Sequence, residues 1–293
     1  MAEFVLSAFA DEAGSSLEEQ IAALKDNGIG YIEPRNIGGK GILSLSDEEV
    51  YAVRAALDLA GIKVNSLGSP IGKYPIDKPF EEHLEAFHRA IRVCKMLNTE
   101  NMRMFSFYPV AGEPTRACTD EVIRRLRELA RIAKNNGIQL NHENEKAIFG
   151  QNPEEVALIL DEVPELRAVF DGANYREAGC DVMDGINATL KGFGYMHIKD
   201  AIHSPKMIVP AGEGEARLAE IIDIVNEKVG GRVYLTVEPH LHIFDAFKDI
   251  DNTELVGKYT FKTNREAFDF AVNALKGLLT KQGYKEVDGV WKK

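Results

Sequence analysis

The chain has 293 residues, 45% of them hydrophobic, enough for a large core, and 35 Lys and Arg against 46 Asp and Glu give a formal charge of −11. An acidic surface repels a phosphate backbone, which argues against nucleic acid as a partner while leaving small substrates open. Cys94, Cys118 and Cys180 are scattered and odd in number, so they offer no disulfide framework or CxxC metal pair and fit free thiols in a reducing compartment. The start, MAEFVLSAFADEAG, lacks the basic and apolar regions of a signal peptide, and no run is long enough to span a bilayer; the expected location is cytoplasmic, with no membrane partner.

In chain order, a β-prone run at 4–9 leads to Ser16-Leu17-Glu18-Glu19, a capping box that opens a predicted helix over 15–28. Leu17, Ile21 and Leu24 share a face of that helix, and Gly28 is placed to end it. A strand is predicted at 30–33. Ser46-Asp47-Glu48-Glu49 repeats the box for a helix over 46–60, closed by Gly61 and followed by a strand at 63–67. Phe80, Leu84, Phe87 and Ile91 form the apolar stripe of a helix over 79–98, before a strand at 101–107. Thr119 opens a helix over 119–136 with Leu126, Leu129 and Ile132 on one face. Strands at 138–141, 167–170, 194–197 and 233–237 then alternate with helices over 152–162, 181–191, 215–229 and 263–281.

Strict alternation of strand and helix predicts parallel strands joined by crossover helices. Eight such units predict one α/β domain over 1–293, a closed (β/α)8 TIM barrel. The glycine-rich phosphate turn of a doubly wound sheet is missing after the first strand. Residues 240–262 form a long connection after the last strand. With Phe244, Phe247 and Tyr259 it is expected to act as a lid over substrate, or else to bury its aromatics on the barrel wall or a partner subunit. The tail at 283–293, with the single tryptophan Trp291, packs on the barrel or frays.

Chemistry in such barrels sits at the C-terminal strand ends. The fifth strand runs from apolar 138–140 straight into Asn141-His142-Glu143-Asn144-Glu145-Lys146; the sixth ends at Asp171, the seventh at His197 and the eighth at Glu238. Any one of these alone reads as a helix cap or a solvated loop residue. Four at consecutive strand ends surround one mouth. Three crowded carboxylates repel each other unless a cation neutralises them. Mixed oxygen and imidazole ligands suit one divalent ion, Mn²⁺, Mg²⁺, Co²⁺ or Zn²⁺, with two octahedral positions left for adjacent oxygens of a hydroxy-ketone.

FDGANY, YMHIKDA and VEPHL after the last three strands resemble the sugar isomerase/epimerase superfamily with a xylose isomerase-like barrel. HENEKAIFG resembles its sugar-phosphate isomerase/epimerase branch, as do ADEAG, IEPRNI, GSPIGK and RMFSFY, so the resemblance spans most of the chain. It implies Glu143, Asp171, His197 and Glu238 as metal ligands, with Glu143 and Glu238 also an acid/base pair on opposite faces of the substrate. Some ketose 3-epimerases carry a histidine three residues after the sixth-strand aspartate; here Asn174 stands there, which weakens a 3-epimerase reading but not the metal site.

The expected substrate-binding residues are Arg35, His142, Asn174, Lys199 and His240. Arg35 is suited to a carboxylate or phosphate, with a Glu33 pair as its alternative. Lys199 is suited to an enediolate or substrate oxygen, with an Asp200 salt bridge as its alternative. His242 and His203 are weaker candidates. Ala211-Gly212-Glu213-Gly214 reads as a shaping turn, and Ser66-Leu67-Gly68-Ser69-Pro70 is no nucleophile elbow. The expectation is a metal-dependent isomerase or epimerase of a small sugar, sugar phosphate or related hydroxy-ketone, with a homo-oligomer allowed. An inosose dehydratase-like lyase is the alternative. With 7 histidines, few of them at strand ends, an endonuclease IV-type nuclease is disfavoured, and the ligand quartet disfavours a non-catalytic sugar-binding barrel.

Overall fold

Both serine capping boxes form: the Ser16 and Ser46 hydroxyls accept from the backbone of Glu19 and Glu49, whose carboxylates reach back to the serine N–H groups. In this computed structural model, which describes residues 1–204, 206–241 and 259–293, they start α1 (Leu17–Asp26) and α2 (Asp47–Ala60). Gly61 ends α2 with φ of 73°, a conformation that costs a residue with a Cβ more than it costs glycine. The amphipathic segments further on form α3 (Phe80–Leu97), α4 (Thr119–Asn135), α5 (Pro153–Glu162), α6 (Gly172–Glu177), α7 (Val182–Thr189), α8 (Leu218–Lys228) and α9 (Asn264–Lys281). Their apolar faces pack on the barrel in one continuous core, and each fully buried aliphatic or aromatic side chain contributes about 1.5–3 kcal/mol.

The barrel strands are β1 (Ala2–Ala8), β2 (Tyr31–Ile32), β3 in two pieces (Lys63–Val64 and Leu67–Gly68), β4 (Asn101–Met104), β5 (Gln139–Glu143), β6 (Arg167–Asp171), β7 (Phe193–Ile198) and β8 (Gly231–Val237). All neighbours are parallel. The ring runs in sequence order and closes where β8 pairs with β1 along Ala2–Ala8. The predicted (β/α)8 barrel is therefore the observed fold. The break in β3 turns the Asn65 side chain inward, where Ser7 Oγ donates to its Oδ1 at 2.6 Å. The fourth strand stops at Met104, short of its predicted end, because Phe105 and Phe107 give their N–H groups to Ile71 and Gly72 instead of the sheet.

β2 touches β1 only at Ala8 and Ile32, which leaves part of the β1 edge open. The C-terminal tail fills it: a hairpin of Lys285–Val287 and Val290–Lys292 lays Trp291 beside Phe4. Its two turn residues, Asp288 and Gly289, both have positive φ, as a tight hairpin needs. Among the described residues no helix is long and apolar enough to cross a membrane.

Candidate metal centre

Glu143, Asp171, His197 and Glu238 converge at the C-terminal mouth. Each offers a ligand atom, and these atoms lie within 4.8 Å of one another, all in buried side chains. The sheet explains the convergence. His197 and Asp171 are register partners across β7 and β6, so they share one rung. Glu143 is the last residue of β5, and Glu238 immediately follows β8, its N–H bonded to the carbonyl of Ile198. His197 Nδ1 is 3.0 Å from Glu143 Oε1 and 3.7 Å from Glu238 Oε2. Asp171 divides its labour: Oδ1 caps α6 by accepting from the N–H of Asn174 at 2.9 Å, while buried Oδ2 faces the Lys199 ammonium at 3.0 Å. Asn144 clamps the same strand end, accepting from the Asp171 N–H and donating to its carbonyl.

Beneath this quartet lies a polar layer inside the barrel. Glu33 accepts from the Tyr195 hydroxyl at 2.8 Å and the Thr236 hydroxyl at 3.1 Å, and its Oε2 is 3.4 Å from His197 Nε2. A carboxylate behind an imidazole orients the ring and would strengthen it as a metal ligand. Burial opposes charge on His197, yet the Glu143 and Glu33 carboxylates outweigh it and push the imidazole up to about 10. Burial likewise works against the Glu143 and Glu238 carboxylates. His197 and Arg103 hold Glu143 low all the same, and Lys199, His240, His197 and Arg35 hold Glu238 low. Asp171 moves the other way: burial raises it against the pull of Lys199. A divalent ion fits this donor set. The three carboxylates and one imidazole are buried and each turns a ligand atom toward a common point, the mixed oxygen and nitrogen donor set such an ion takes.

Residues 21–252 match the family model of the xylose isomerase-like TIM barrel. The chain belongs to that family. No curated protein matches it in sequence. Among solved structures, the IOLI protein with a binding zinc atom is 17% identical with a TM-score of 0.72, covering 95% of this chain and 99% of that one. A D-allulose 3-epimerase from Methylomonas sp. is also 17% identical with a TM-score of 0.69, covering 96% of this chain and 100% of that one. The probable 3-DHS dehydratase AsbF from Bacillus anthracis is 15% identical with a TM-score of 0.69, covering 94% and 99%. At these identities the likeness is one of fold.

The cleft of this xylose isomerase-like barrel is about 300 Å³ and is bordered by Arg35, Asn174, Lys199 and His240. Lys199 does not pair with Asp200. Its Nζ lies 3.0 Å from Asp171 Oδ2 and 3.4 Å from Glu238 Oε2, and it donates to Asn174 Oδ1 at 2.9 Å. Asp200 is instead wrapped by the shaping turn and accepts from the N–H groups of Ala201, Gly212, Gly214 and Ala216. Gly214 is required there, since a Cβ would stand 2.3 Å from Asp200 Oδ1. Arg35 does not pair with Glu33 either: it bonds Asp11, Glu12 and Glu238 above the Phe9 ring. Its guanidinium pairs with Glu12 and Glu238, two members of a second convergent group with His240 beside the quartet.

His142 is corrected. It is buried away from the cleft, with Nε2 2.7 Å from Ser106 Oγ and its ring against Gly150, because neighbouring residues on a strand face opposite sides and Glu143 takes the inner one. His203 lies outside the cleft, where its N–H bonds Glu215. His242, Phe244 and Phe247 fall outside the described residues, and most of the proposed lid with them. Tyr259 is buried with Met207 and Val209, and its hydroxyl bonds Glu213 at 3.1 Å.

Three neighbours of the site escaped the sequence reading: the structural role of Glu33, and Arg103 and Lys73 at the cleft. Arg103 had left a signal, as a lone cation inside the otherwise apolar run MRMF.

Proposed function

We propose that the protein is a divalent-metal-dependent isomerase or epimerase of a small hydroxy-ketone sugar or sugar phosphate. The observation that carries this reading is the buried convergence of Glu143, Asp171, His197 and Glu238 within 4.8 Å. A divalent ion bound there, Mn²⁺, Mg²⁺, Co²⁺ or Zn²⁺, supplies Lewis-acid stabilisation of negative charge on a substrate carbonyl oxygen. Glu143 and Glu238 are both held as carboxylates, so either can take the proton from the carbon beside the carbonyl. The resulting enediolate is reprotonated by that carboxyl group or by its partner. The Lys199 ammonium, fixed between Asp171, Glu238 and Asn174, offers a positive charge to a substrate oxygen.

The same ammonium supports a second reading, a dehydratase, because it can assist a departing hydroxide after proton abstraction. The substrate class is a small carbohydrate, the −11 charge disfavours nucleic acid, and a cytoplasmic location and one domain over 1–293 are consistent with this reading.

The test is solvent deuterium exchange. Protein loaded with Mn²⁺ is incubated in D₂O with a panel of ketoses, keto-acids and ketose phosphates, and NMR follows the carbon beside the carbonyl. Metal-dependent exchange that disappears with EDTA is expected. No exchange with any member, together with no 1:1 Mn²⁺ binding by calorimetry, overturns the reading.

A further inference from the structure

The cleft holds five cationic side chains besides its histidine, and four of them have carboxylates as close partners. Arg35 bonds Asp11, Glu12 and Glu238; Lys73 donates to Glu145 at 2.9 Å; Lys146 donates to Glu177 at 3.0 Å; and Lys199 lies between Asp171 and Glu238. Arg103 is different. It is only 5% exposed, and its guanidinium donates no hydrogen bond among the described residues, although it stands in ion-pair range of two carboxylates. Its nearest carboxylate oxygens, Glu143 Oε2 at 3.4 Å and Glu33 Oε1 at 3.8 Å, both approach Nε. Nε is sealed from solvent and meets these acids as an ion pair without a hydrogen bond. The two terminal nitrogens are farther from these acids, and the side chain borders the cleft.

The guanidinium is also held still. It rises from β4 inside the barrel and stands 4.6 Å from the centre of the Phe105 ring and 5.4 Å from that of Phe9. Such stacking orients the plane without using its N–H groups. The fork nitrogens are not sealed like Nε, so they remain open to a ligand in the cleft, and charge-assisted bonds to a held guanidinium are among the stronger ones. The partner that matches two parallel N–H donors is an oxyanion, a carboxylate or a phosphate. A neutral sugar hydroxyl presents one oxygen and no charge.

We infer that Arg103 anchors an oxyanion substituent of the substrate, so that the protein selects an acidic hydroxy-ketone, a keto-sugar acid or a sugar phosphate, over the neutral sugar. This rests on the proposed metal-centred reaction, because it makes the substrate bridge the quartet and Arg103. It explains why the arginine sits beside Glu143 yet is not consumed by it: its charge offsets the acids, and its fork remains for the ligand.

The experiment is calorimetric titration of the Mn²⁺-loaded protein with two matched pairs. L-Sorbose is set against 5-keto-D-gluconate, which carries a terminal carboxylate, and D-fructose against D-fructose 6-phosphate. At least one acidic member is expected to bind tenfold or more tighter than its neutral partner, and the pair that does so identifies the oxyanion as carboxylate or phosphate. Arg103→Gln is expected to cost that acidic ligand on the order of 10- to 100-fold while shifting the neutral partner less than about threefold, with Mn²⁺ binding retained. Arg103→Lys, which keeps the charge and loses the fork, falls between and serves if the glutamine variant does not fold. Equal affinities within both pairs, or equal losses for acidic and neutral ligands in the variants, overturn the inference. Loss of Mn²⁺ binding or of deuterium exchange in the unmodified protein instead overturns the metal-centred reading beneath it.

Discussion

The two ends of the barrel each carry a cleft, and the larger one is at the wrong end for chemistry. At the N-terminal ends of β4, β5 and β6 a cleft of about 600 Å³ opens between residues such as Asn101, Lys134, Gln139 and Glu165. At the C-terminal mouth the cleft is about 300 Å³. The difference lies in the groups that line them. Lys134 and Glu165 stand 3.8 Å apart with side chains 71% and 44% exposed, so water screens them and their positions are loosely held. At the mouth, three carboxylates, an imidazole, an ammonium and a guanidinium are all buried, and their charges act on one another at low dielectric. Convergence of buried charge, not volume, is the ground on which the C-terminal mouth is proposed as the functional end.

The strongest way to break this contrast is Glu238→Gln. Metal-dependent deuterium exchange is expected to fall by about 10²–10⁴-fold. Arg35 keeps Asp11 and Glu12, and Lys199 keeps Asp171, so no buried cation is orphaned and the melting of the metal-free protein is expected to change little. A collapse of the metal-free variant in thermal melts would make the residue a structural one.

Glu33→Gln probes the layer below. It keeps the shape of the side chain but removes the charge behind His197, and titration with Mn²⁺ is expected to show affinity about 10- to 100-fold weaker. Unchanged affinity would mean that the polar layer serves folding alone.

A smaller effect comes from the loop that carries Lys73 to the mouth. His83 Nε2 accepts the Gly72 N–H at 3.0 Å, and burial, with the Arg125 charge second, pushes this imidazole down to about 4. An unfolded histidine titrates near 6.5, so the unfolded chain binds the proton first as pH falls. The contribution of His83 is therefore present above about pH 6.5 and is lost as pH falls toward 4. Urea unfolding of metal-free protein at pH 7 and pH 5 should show His83→Gln losing less stability between them, by on the order of 1–2 kcal/mol.

The smallest effect is expected at the other end. Lys134→Ala with Glu165→Ala should change stability by less than about 0.5 kcal/mol and leave deuterium exchange untouched, since exposed ion pairs contribute little. A large loss of exchange there would overturn the assignment of the two ends.

Legibility in the sequence followed the range of the interaction. The capping boxes at Ser16 and Ser46, the glycine stop at Gly61 and the apolar stripe of α3 are local, and each formed where it was predicted. The four acidic and histidine residues at the ends of β5 to β8 could be picked out because strand ends face one mouth in a parallel barrel. His142 could not be separated from Glu143, since which of two adjacent residues faces inward depends on the register of β5 against β4 and β6.

The sequence by itself thus determined the alternation of elements, hence the barrel, and the chemical types at its mouth, because helix periodicity and capping are written within a few residues. Tertiary structure alone decided which charges meet: Lys199 with Asp171 rather than Asp200, Arg35 with Asp11 rather than Glu33, and Glu33 beneath His197. These partners lie up to 164 residues apart, in the case of Glu33 and His197 (197 − 33), and they are brought together by barrel closure and strand stagger. Only the closed ring fixes both the distance and the burial that make such a contact strong.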